Sequence, residues 1–480
     1  MLLSSIATNR DLPLSWRDPH ARPDHLNTTR PRLMTRTTGS AQATDHSQTT
    51  GNPFRRLLRN AGYLLGSRVL RDGMGLIALA LVARHLGPGG FGVIALLQSY
   101  TFTINWLVNF QTWQAIVRYG AGMDDESRRT DLRGLLRLAL LLDAGTALLG
   151  GLLGIALAGW AGDLWGWDEA TVRLARWYCL VTIIPDWTGT WTGILRLFDR
   201  FGLMSAQGVL ASTVKLGGAI IGVAAGWEVT DFVWLWMTAE ASGLVLAALF
   251  AIWVGATQHV LTGDAPGCRQ VLEQHPGLLR FFVTTNWHAT IRMASKEADT
   301  LIIGAMMGSA GAGLFKIVKQ VASVLSRAAD PLYQAVYPEL ARLWTAGDRD
   351  GFRHILRRST AIGLAVGIGY LGLFWLGGHW TLVTLLGGDY ALAYEPTLIY
   401  LVAVALSAAS FAFHPAALAM DRPTDSLTVL VTATVVYFVL LVPAIMWQGL
   451  HGAAAAYILF YVIWVLVIGA RLRRWTRESA

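Results

Sequence analysis

Charged residues interrupt the first long apolar stretch of the chain, and their spacing places them on one side of a helix. Arg68, Arg71 and Asp72 follow one another at i, i+3 and i+4, the spacing of neighbours on a helix face. Each ion at the centre of a membrane-spanning helix costs about 2.5–3.5 kcal/mol on insertion scales. A helix with three such ions is stable in a bilayer only if this face borders a wet interior lined by protein.

Three further apolar stretches carry polar residues at helical spacing. The next stretch along the chain presents the amides of Gln98, Asn105 and Asn109 on one face of an otherwise apolar helix. Two stretches in the second half of the chain carry ions, namely Arg292, Lys296, Glu297, Asp299, Lys316, Lys319, Arg327 and Asp330. We expect the four stretches to line one central cleft.

The expected cleft has a surplus of three positive charges. Its cations are Arg68, Arg71, Arg292, Lys296, Lys316, Lys319 and Arg327. Its anions are Asp72, Glu297, Asp299 and Asp330. Unpaired cations within a bilayer need an anionic partner, and arginine suits phosphate. The surplus favours binding of an anion such as a diphosphate or an acidic sugar, and ion pairs that only hold helices together are the alternative.

The composition indicates that the elements carrying these residues are membrane spans. Of 480 residues, 54% are hydrophobic and 15% are charged, whereas soluble domains carry about 25% charged residues. Each apolar stretch has about the 20 residues that a helix needs to cross a bilayer. About twelve spans are predicted, at 60–83, 91–116, 135–160, 171–195, 204–226, 230–254, 280–305, 311–337, 354–378, 390–416, 425–447 and 451–470.

Arginines are concentrated in alternate loops and in the two tails. The positive-inside rule therefore places both termini in the cytoplasm. Residues 1–53 have no apolar periodicity and are predicted to form a disordered cytoplasmic tail, in which Met34 is an alternative start. Residues 471–480 are predicted to form a basic cytoplasmic tail.

The second half of the sequence repeats the first at an offset of 221. Arg71 matches Arg292, and Gly87 matches Gly308. Six spans are an even number, so both halves enter the membrane from the same side, as a parallel repeat does. The predicted fold is an all-α polytopic membrane protein with two six-helix lobes around a central polar cleft. The N-terminal lobe, cytoplasmic linker and C-terminal lobe are assigned to 54–254, 255–279 and 280–470.

The sequence contains no pattern for a metal or a cofactor. The histidines are scattered without ligand spacing. The glycine-rich turn after Leu86 lies between two spans rather than between a strand and a helix, which excludes a phosphate-binding loop. The net charge of +8 lies in tails and alternate loops, which favours membrane orientation over nucleic-acid binding.

Two stretches resemble bacterial polysaccharide flippases of the multidrug/oligosaccharidyl-lipid/polysaccharide exporter superfamily. One is LRNAGYLLGSRVLRDGMGLIALALVARHLGPGGFGVIALLQSY, and the other is GILRLFDRFGLMSAQ. The resemblance covers roughly residues 54–470. It implies a bacterial inner-membrane protein that moves an undecaprenyl-diphosphate-linked oligosaccharide to the periplasmic leaflet by alternating access, for O-antigen or exopolysaccharide synthesis. Peptidoglycan-precursor members carry two further spans, and their absence here disfavours a lipid II substrate.

This interpretation gives the polar residues roles. The seven cations would bind the head group, the four acids would pair with them in the empty site or couple transport to an ion, and the three amides would line the cleft. The expected partners are the lipid-linked oligosaccharide, the bilayer and polysaccharide assembly proteins. A transporter, not an enzyme, is predicted.

Two other functions stay open. A cation-coupled multidrug exporter of the same superfamily could use Asp72, although the surplus of cations disfavours it. A membrane polysaccharide polymerase or ligase would need a large outer loop to hold acceptor sugars. No predicted outer loop exceeds about a dozen residues.

Overall fold

The computed structural model describes the backbone of residues 53–121 and 128–478. The tail predicted at residues 1–53 lies outside the described residues except for its last position, and so do residues 479–480. The side chains of 53–65, 283–296, 327–331 and 333–335 also lie outside them.

Helices make up the regular structure of the described chain. The α-helices are α1 Pro53–Val108, α2 Thr112–Gly120, α3 Arg129–Trp165, α4 Glu169–Tyr178, α5 Thr188–Leu197, α6 Phe201–Ala225, α7 Val229–Thr257, α8 Cys268–Gln274, α9 Leu278–Thr345, α10 Arg349–Leu386, α11 Tyr394–Ala409, α12 Phe413–Ala419 and α13 Pro423–Glu478. A π-helix, Cys179–Ile183, follows α4, and a 3₁₀ helix, Gly388–Ala393, precedes α11.

Eight stretches of the described chain are long and apolar enough to cross a membrane. Three of them contain a sharp kink, at Gly87 in α1, at Gly308 in α9 and at Gln448 and Gly449 in α13. Each kinked helix comprises two spans, and α4 with α5 forms a further one. The described chain therefore has twelve spans, six in the first half (α1–α7) and six in the second half (α9–α13).

The backbone repeats between the two halves. Gly87 has φ 67° and ψ 177°, and Gly308, 221 residues later, has φ 73° and ψ −175°. Asp199 has φ 54°, and Asp421, 222 residues later, has φ 57°. Residues other than glycine rarely adopt a positive φ. The matching positive φ angles at Asp199 and Asp421, and the matching φ and ψ at the two glycines, therefore reflect the same local fold. The predicted parallel repeat is confirmed.

The side chains divide into buried cores and a lipid-facing surface. Phe232 lies in a buried cluster of the first half, and Phe315 lies in a buried cluster of the second half. Large apolar residues such as Leu376 (77% exposed) and Trp447 (81% exposed) lie on the outside. An apolar exterior of this extent suits a hydrocarbon environment rather than water.

The two halves are packed together at the end of the bundle where the kinks lie, which we call the kink end. A Cβ atom on Gly92 would lie 1.7 Å from the carbonyl oxygen of Ser309, and one on Gly313 would lie 2.2 Å from that of Pro88. The backbones of α1 and α9 therefore touch directly. The Trp165 indole of α3 also donates to the carbonyl of Leu301 at 2.7 Å.

Two predicted spans are broken in the structure. The second span, predicted to be continuous over 91–116, is interrupted between Val108 and Thr112. The fourth, predicted over 171–195, is interrupted between Ile183 and Thr188. Apolar length alone predicts a continuous helix, but polar side chains close to both breaks bind the backbone groups that the breaks release.

Candidate functional site

An ion pair joins the two limbs of α9. Glu297 precedes the Gly308 kink and Lys316 follows it, so the kink brings the two side chains together. The Lys316 ammonium donates to Oε2 of Glu297 at 3.0 Å, and the Ser99 hydroxyl of α1 donates to the same oxygen at 2.7 Å. The two charged side chains are only 18% and 19% exposed. The bond from Ser99 thus links the first half to this ion pair inside the bundle.

A cavity of about 510 Å³ lies in the first half, and the ion pair forms part of its wall. The Tyr178 hydroxyl donates to Oε1 of Glu240 at 2.9 Å, and the Asn105 amide donates to Oδ2 of Asp186 at 2.7 Å. Among the described lining residues, these two carboxylates and that of the ion pair face a single lysine. The first-half cavity is therefore anionic and rich in hydrogen-bonding groups.

The helix breaks place carboxylates in and behind the wall of this cavity. The amide of Asn109, in the break after α1, donates to the carbonyl of Asp186 at 3.4 Å. Behind it, Oδ2 of the fully buried Asp143 accepts from the Thr112 hydroxyl at 2.8 Å and from the Thr190 N–H at 2.6 Å. These bonds satisfy groups at the starts of α2 and α5 that no helix satisfies. The breaks are thereby held at defined positions.

A second cavity, of about 390 Å³, lies in the second half on the other side of the ion pair. The Lys319 ammonium donates to Oδ1 of Asp299 at 2.7 Å and to the Thr300 hydroxyl at 3.1 Å. The Tyr437 hydroxyl donates to Oδ2 of Asp299 at 3.4 Å. The four charged residues described in its wall form two ion pairs. The second-half cavity is therefore neutral overall, with much of its wall aromatic.

The predicted charges of α1 lie beside the first-half cavity. Asp72 is 3.9 Å from Nε of Arg68 and 3.8 Å from Nε of Arg71. The guanidinium of Arg71 packs against Gly208 of α6, which lines the first-half cavity. About half of the Arg71 side chain is exposed. These three residues lie together, and Arg71 borders the cavity.

The other predicted residues fall into two groups. Gln98 and Asn105 line the first-half cavity, and Asn109 donates to Asn105 at 3.3 Å. Glu297, Lys316 and the Lys319–Asp299 pair lie in the cavity walls, as described above. Four predicted side chains lie outside the described residues, namely Arg292, Lys296, Arg327 and Asp330.

The described cavity walls carry more carboxylates than ammonium groups, whereas the sequence predicted a surplus of cations. Asp186 and Glu240 add two carboxylates, and the side chains of three predicted cations, Arg292, Lys296 and Arg327, lie outside the described residues. Asp186 and Glu240 lie outside the four stretches over which the charges were counted, and the folding of α5 and α7 beside α1 brings them in. A count restricted to four helices could not include them.

Sequence reasoning also missed an aromatic group in the second-half cavity. Tyr457, Phe460 and Tyr461 line this cavity from α13, together with Tyr400 of α11. The spacing of the α13 residues at i, i+3 and i+4 could have indicated a shared helix face. Their position in the same cavity wall as the charged residues of α9 depends on tertiary packing.

The fold and the site together define a helical membrane transporter with two lobes and an internal polar space. A family model described as polysaccharide biosynthesis protein matches residues 57–344. The match spans more than half of the chain, and the protein belongs to this family. The expected family is confirmed.

A curated relative is similar over much of the chain. It is described as inner membrane protein YghQ from Escherichia coli (strain K12). The two sequences are 28% identical over 310 residues, which is 62% of this chain and 86% of the relative.

Solved structures share the fold at low sequence identity. One, described as the inward-facing conformation of a multidrug resistance MATE family transporter of the MOP superfamily, has a TM-score of 0.61 and 15% identity, and the similarity covers 86% of this chain and 96% of that one. Another, described as lipid II flippase MurJ in an inward closed conformation, has a TM-score of 0.61 and 13% identity, covering 88% and 90%. This likeness establishes the two-lobed transporter fold.

Proposed function

We propose that this protein moves a polyprenyl-diphosphate-linked oligosaccharide from the cytoplasmic to the periplasmic leaflet of the bacterial inner membrane. The transported unit would serve the synthesis of O-antigen or exopolysaccharide. Membership of the polysaccharide biosynthesis family supports this proposal, as does a fold that a lipid II flippase also has. Polysaccharide assembly proteins would receive the transported unit.

The observation that carries the proposal is the Glu297–Lys316 pair, which both cavities share. A diphosphate entering there replaces Glu297 as the partner of the lysine, because charge-assisted hydrogen bonds to phosphate are strong and short. The proposed head-group residues are Arg68, Arg71, Arg292, Lys296, Lys316, Lys319 and Arg327. The acids Asp72, Glu297, Asp299 and Asp330 neutralise these cations in the empty site or couple transport to an ion, and Gln98, Asn105 and Asn109 supply neutral polar lining.

Alternating access follows from the contact between the halves. With both termini in the cytoplasm, the kink end faces the periplasm, and the contact of Gly92 with Ser309 closes it. Separation of the halves at this contact exposes the head group to the periplasm. The polyprenyl chain stays in lipid throughout, because its transfer into a polar cavity would lose hydrophobic free energy.

The proposal is tested by neutralising the cations of the two matching spans. The double variant Arg71→Gln/Arg292→Gln, expressed in a deletion strain of the source bacterium, is expected to yield at least tenfold less surface polysaccharide than the wild type. Lipid-linked oligosaccharide is expected to accumulate in the inner membrane. Immunoblots of membranes are expected to show an unchanged protein level, because Arg71 is half exposed and its ion pair contributes little.

The matched control removes two arginines of exposed pairs that line neither the first-half nor the second-half cavity. Arg173 lies 3.2 Å from Glu169, and Arg269 lies 2.9 Å from Glu273. The variant Arg173→Gln/Arg269→Gln is expected to restore polysaccharide as well as the wild type does. Full polysaccharide with the Arg71→Gln/Arg292→Gln variant would refute the proposed role of these cations.

A cation-coupled multidrug exporter is the second candidate, and the anionic first-half cavity favours it. Carboxylates attract cationic drugs and coupling cations alike. Drug susceptibility of the deletion strain separates the two functions. A strain that keeps its polysaccharide but becomes sensitive to lipophilic cations would establish the exporter instead.

A further inference from the structure

An aromatic wall bounds the second-half cavity. The rings of Tyr400 and Tyr457 stack with centroids 4.3 Å apart and planes at 11°, and Tyr457 and Phe460 are parallel within 5° at 5.7 Å. Tyr461 meets Tyr457 edge-on at 5.2 Å, and Tyr437 does so at 5.7 Å. All five rings line the cavity. We call them the aromatic wall.

The aromatic wall is more than core packing. Tyr400 and Tyr437 are 5% and 3% exposed, whereas Tyr457, Phe460 and Tyr461 are only partly buried. Ring area of Tyr457, Phe460 and Tyr461 therefore stays open toward the cavity of about 390 Å³. This volume lies within the range of about 300–1,000 Å³ that small-molecule sites have.

Polar groups stand beside the rings. The Lys319–Asp299 pair and the hydroxyls of Ser323 and Thr434 lie in the same cavity wall. Each of these two hydroxyls donates to a carbonyl of its own helix, at 2.8 Å in both cases, and keeps acceptor capacity for a ligand. A wall of flat apolar faces next to hydrogen-bonding groups suits a ligand with both kinds of surface.

A pyranose ring has this pair of surfaces. Its C–H groups form apolar faces that pack on aromatic rings, and its hydroxyls lie around the edge, where amides, carboxylates and ammonium groups bind them. A polyprenyl chain would use the ring faces but would offer no hydrogen-bonding group to the Lys319–Asp299 pair or to the acceptor sites of the two hydroxyls. The chemistry of the cavity therefore favours a sugar over a prenyl chain.

The first half has no equivalent wall. At the offset of 222 that relates Asp199 to Asp421, the counterpart of Tyr437 is Lys215. The aromatic residues described in the first-half cavity are Phe102 and Tyr178, and Tyr178 is bonded to Glu240. Stacking surface is concentrated on one side of the Glu297–Lys316 pair.

We propose that the second-half cavity is the sugar subsite of the transported lipid, in which a pyranose next to the diphosphate packs on the open rings of α13. This assignment rests on the proposed function and extends it. The diphosphate lies at the Glu297–Lys316 pair, the aromatic wall holds the sugar, and Lys319 and Asp299 bind its hydroxyls. The wall thereby distinguishes a glycosylated carrier from the bare polyprenyl diphosphate.

The test compares two ligands on purified full-length protein in detergent. The ligands are the lipid-linked oligosaccharide extracted from the deletion strain and undecaprenyl diphosphate without sugar, and binding is measured by isothermal titration calorimetry. The wild type is expected to bind the glycosylated lipid at least tenfold more tightly. Tyr461→Leu is expected to lose roughly tenfold of this preference, about 1.4 kcal/mol, and to bind the sugar-free lipid as the wild type does.

Tyr461→Phe is the matched control, because it keeps the ring and removes only the hydroxyl. It is expected to retain the preference, and thermal melting shows whether both variants are folded. A Tyr461→Leu protein with an unchanged preference, or a wild type that binds both lipids equally, overturns the sugar subsite and leaves transport of polyprenyl diphosphates standing. A wild type that binds neither lipid refutes the proposed function itself.

Discussion

The two halves have similar backbone conformations at matching positions but differ in how they stabilise buried charge. The kinks at Gly87 and Gly308 have nearly the same φ and ψ. Yet Glu297, Asp299 and Lys316 of the second half correspond, at the offset of 221, to Leu76, Ala78 and Ala95 in the first half. Duplication of a fold has thus preserved backbone geometry while the polar interior diverged.

In the first half, the two acids that line the cavity accept hydrogen bonds from neutral donors, and Lys215 of α6 interacts electrostatically with Glu240. Asp186 accepts from Asn105, and Glu240 accepts from Tyr178. Within the described part of the chain, neither carboxylate forms an ion pair. In the second half, Asp299 forms an ion pair with Lys319. The same bundle thus carries one cavity whose described charges are paired and another whose described lining has more carboxylates than ammonium groups.

The largest effect is expected where an ion pair is broken in the second half. Asp299 is 3% exposed and Lys319 is 16% exposed, so Lys319→Met leaves a buried carboxylate without its cation. Removing one partner of a buried pair costs about 3–5 kcal/mol. Thermal melting of the purified protein is expected to show this loss of unfolding free energy.

The double variant Lys319→Met/Asp299→Asn provides the control. It removes both charges, and most of the lost stability is expected to return because no unpaired ion remains. A Lys319→Met protein that melts with the wild type would show that the pair does not hold the second half together.

The next effect concerns the contact between the halves at the kink end. Gly92→Ala places a methyl group where the Ser309 carbonyl lies, 1.7 Å from an ideal Cβ. The backbones must separate, at a cost of about 1–3 kcal/mol typical of overpacking. A lower melting temperature and reduced transport are both expected.

Gly89→Ala is the matched control, because an added Cβ there has no atom within 4 Å. It is expected to melt and to transport as the wild type does. Equal behaviour of the two alanine variants would mean that the kinks are not in contact when the protein works.

The sequence predicted the helical architecture because the lengths of the apolar stretches and the constant offset between matching residues can be read directly from it. The matching glycines Gly87 and Gly308 indicated the repeat. The polar faces of α1 and α9 indicated that these helices line the interior of the bundle. The breaks after Val108 and Ile183 could not be predicted from hydrophobic length. Pro185 in the second break is a local signal, whereas the bonds that Asp143 forms at the starts of α2 and α5 come from a different helix.

The candidate site was only partly predictable, because some of its contacts join residues of one helix and others join distant segments. Residues on one helix, such as Glu297 and Asp299, reveal a shared face by spacing. The meeting of Glu240 with Tyr178, or of Tyr437 with Asp299, joins distant segments whose contact no local spacing encodes.

A smaller effect is expected at the start of α4 in the first half. Asp168 accepts from the Thr171 N–H at 2.9 Å and caps this helix. Asp168→Ala is expected to cost about 1 kcal/mol. The Asp389→Ala variant of the repeat counterpart is the control, because in the described structure Asp389 accepts no capping bond, and less than about 0.5 kcal/mol is expected.

The contribution of this cap depends on pH. Hydrogen bonding to Thr171 lowers the pKa of Asp168 below its ordinary value. The cap therefore contributes fully above the ordinary pKa of an unfolded aspartate, and its contribution falls as the pH drops through the lowered pKa of the folded state. The difference in melting temperature between wild type and Asp168→Ala is expected to shrink at acidic pH, and a constant difference would contradict the cap.

The smallest effect on stability is expected at Glu240. This variant tests most directly whether the two halves stabilise buried charge in different ways. Glu240→Gln keeps an oxygen that can accept from the Tyr178 hydroxyl and removes a charge that interacts electrostatically with Lys215 without forming an ion pair among the described residues. Burial of a neutral amide costs less than burial of a carboxylate, whereas Lys215 loses an attraction, so the two effects oppose each other and the melting temperature is expected to change little. A loss as large as that of Lys319→Met would mean that Lys215 balances Glu240 as fully as Lys319 balances Asp299, and the two halves would then stabilise charge in the same way.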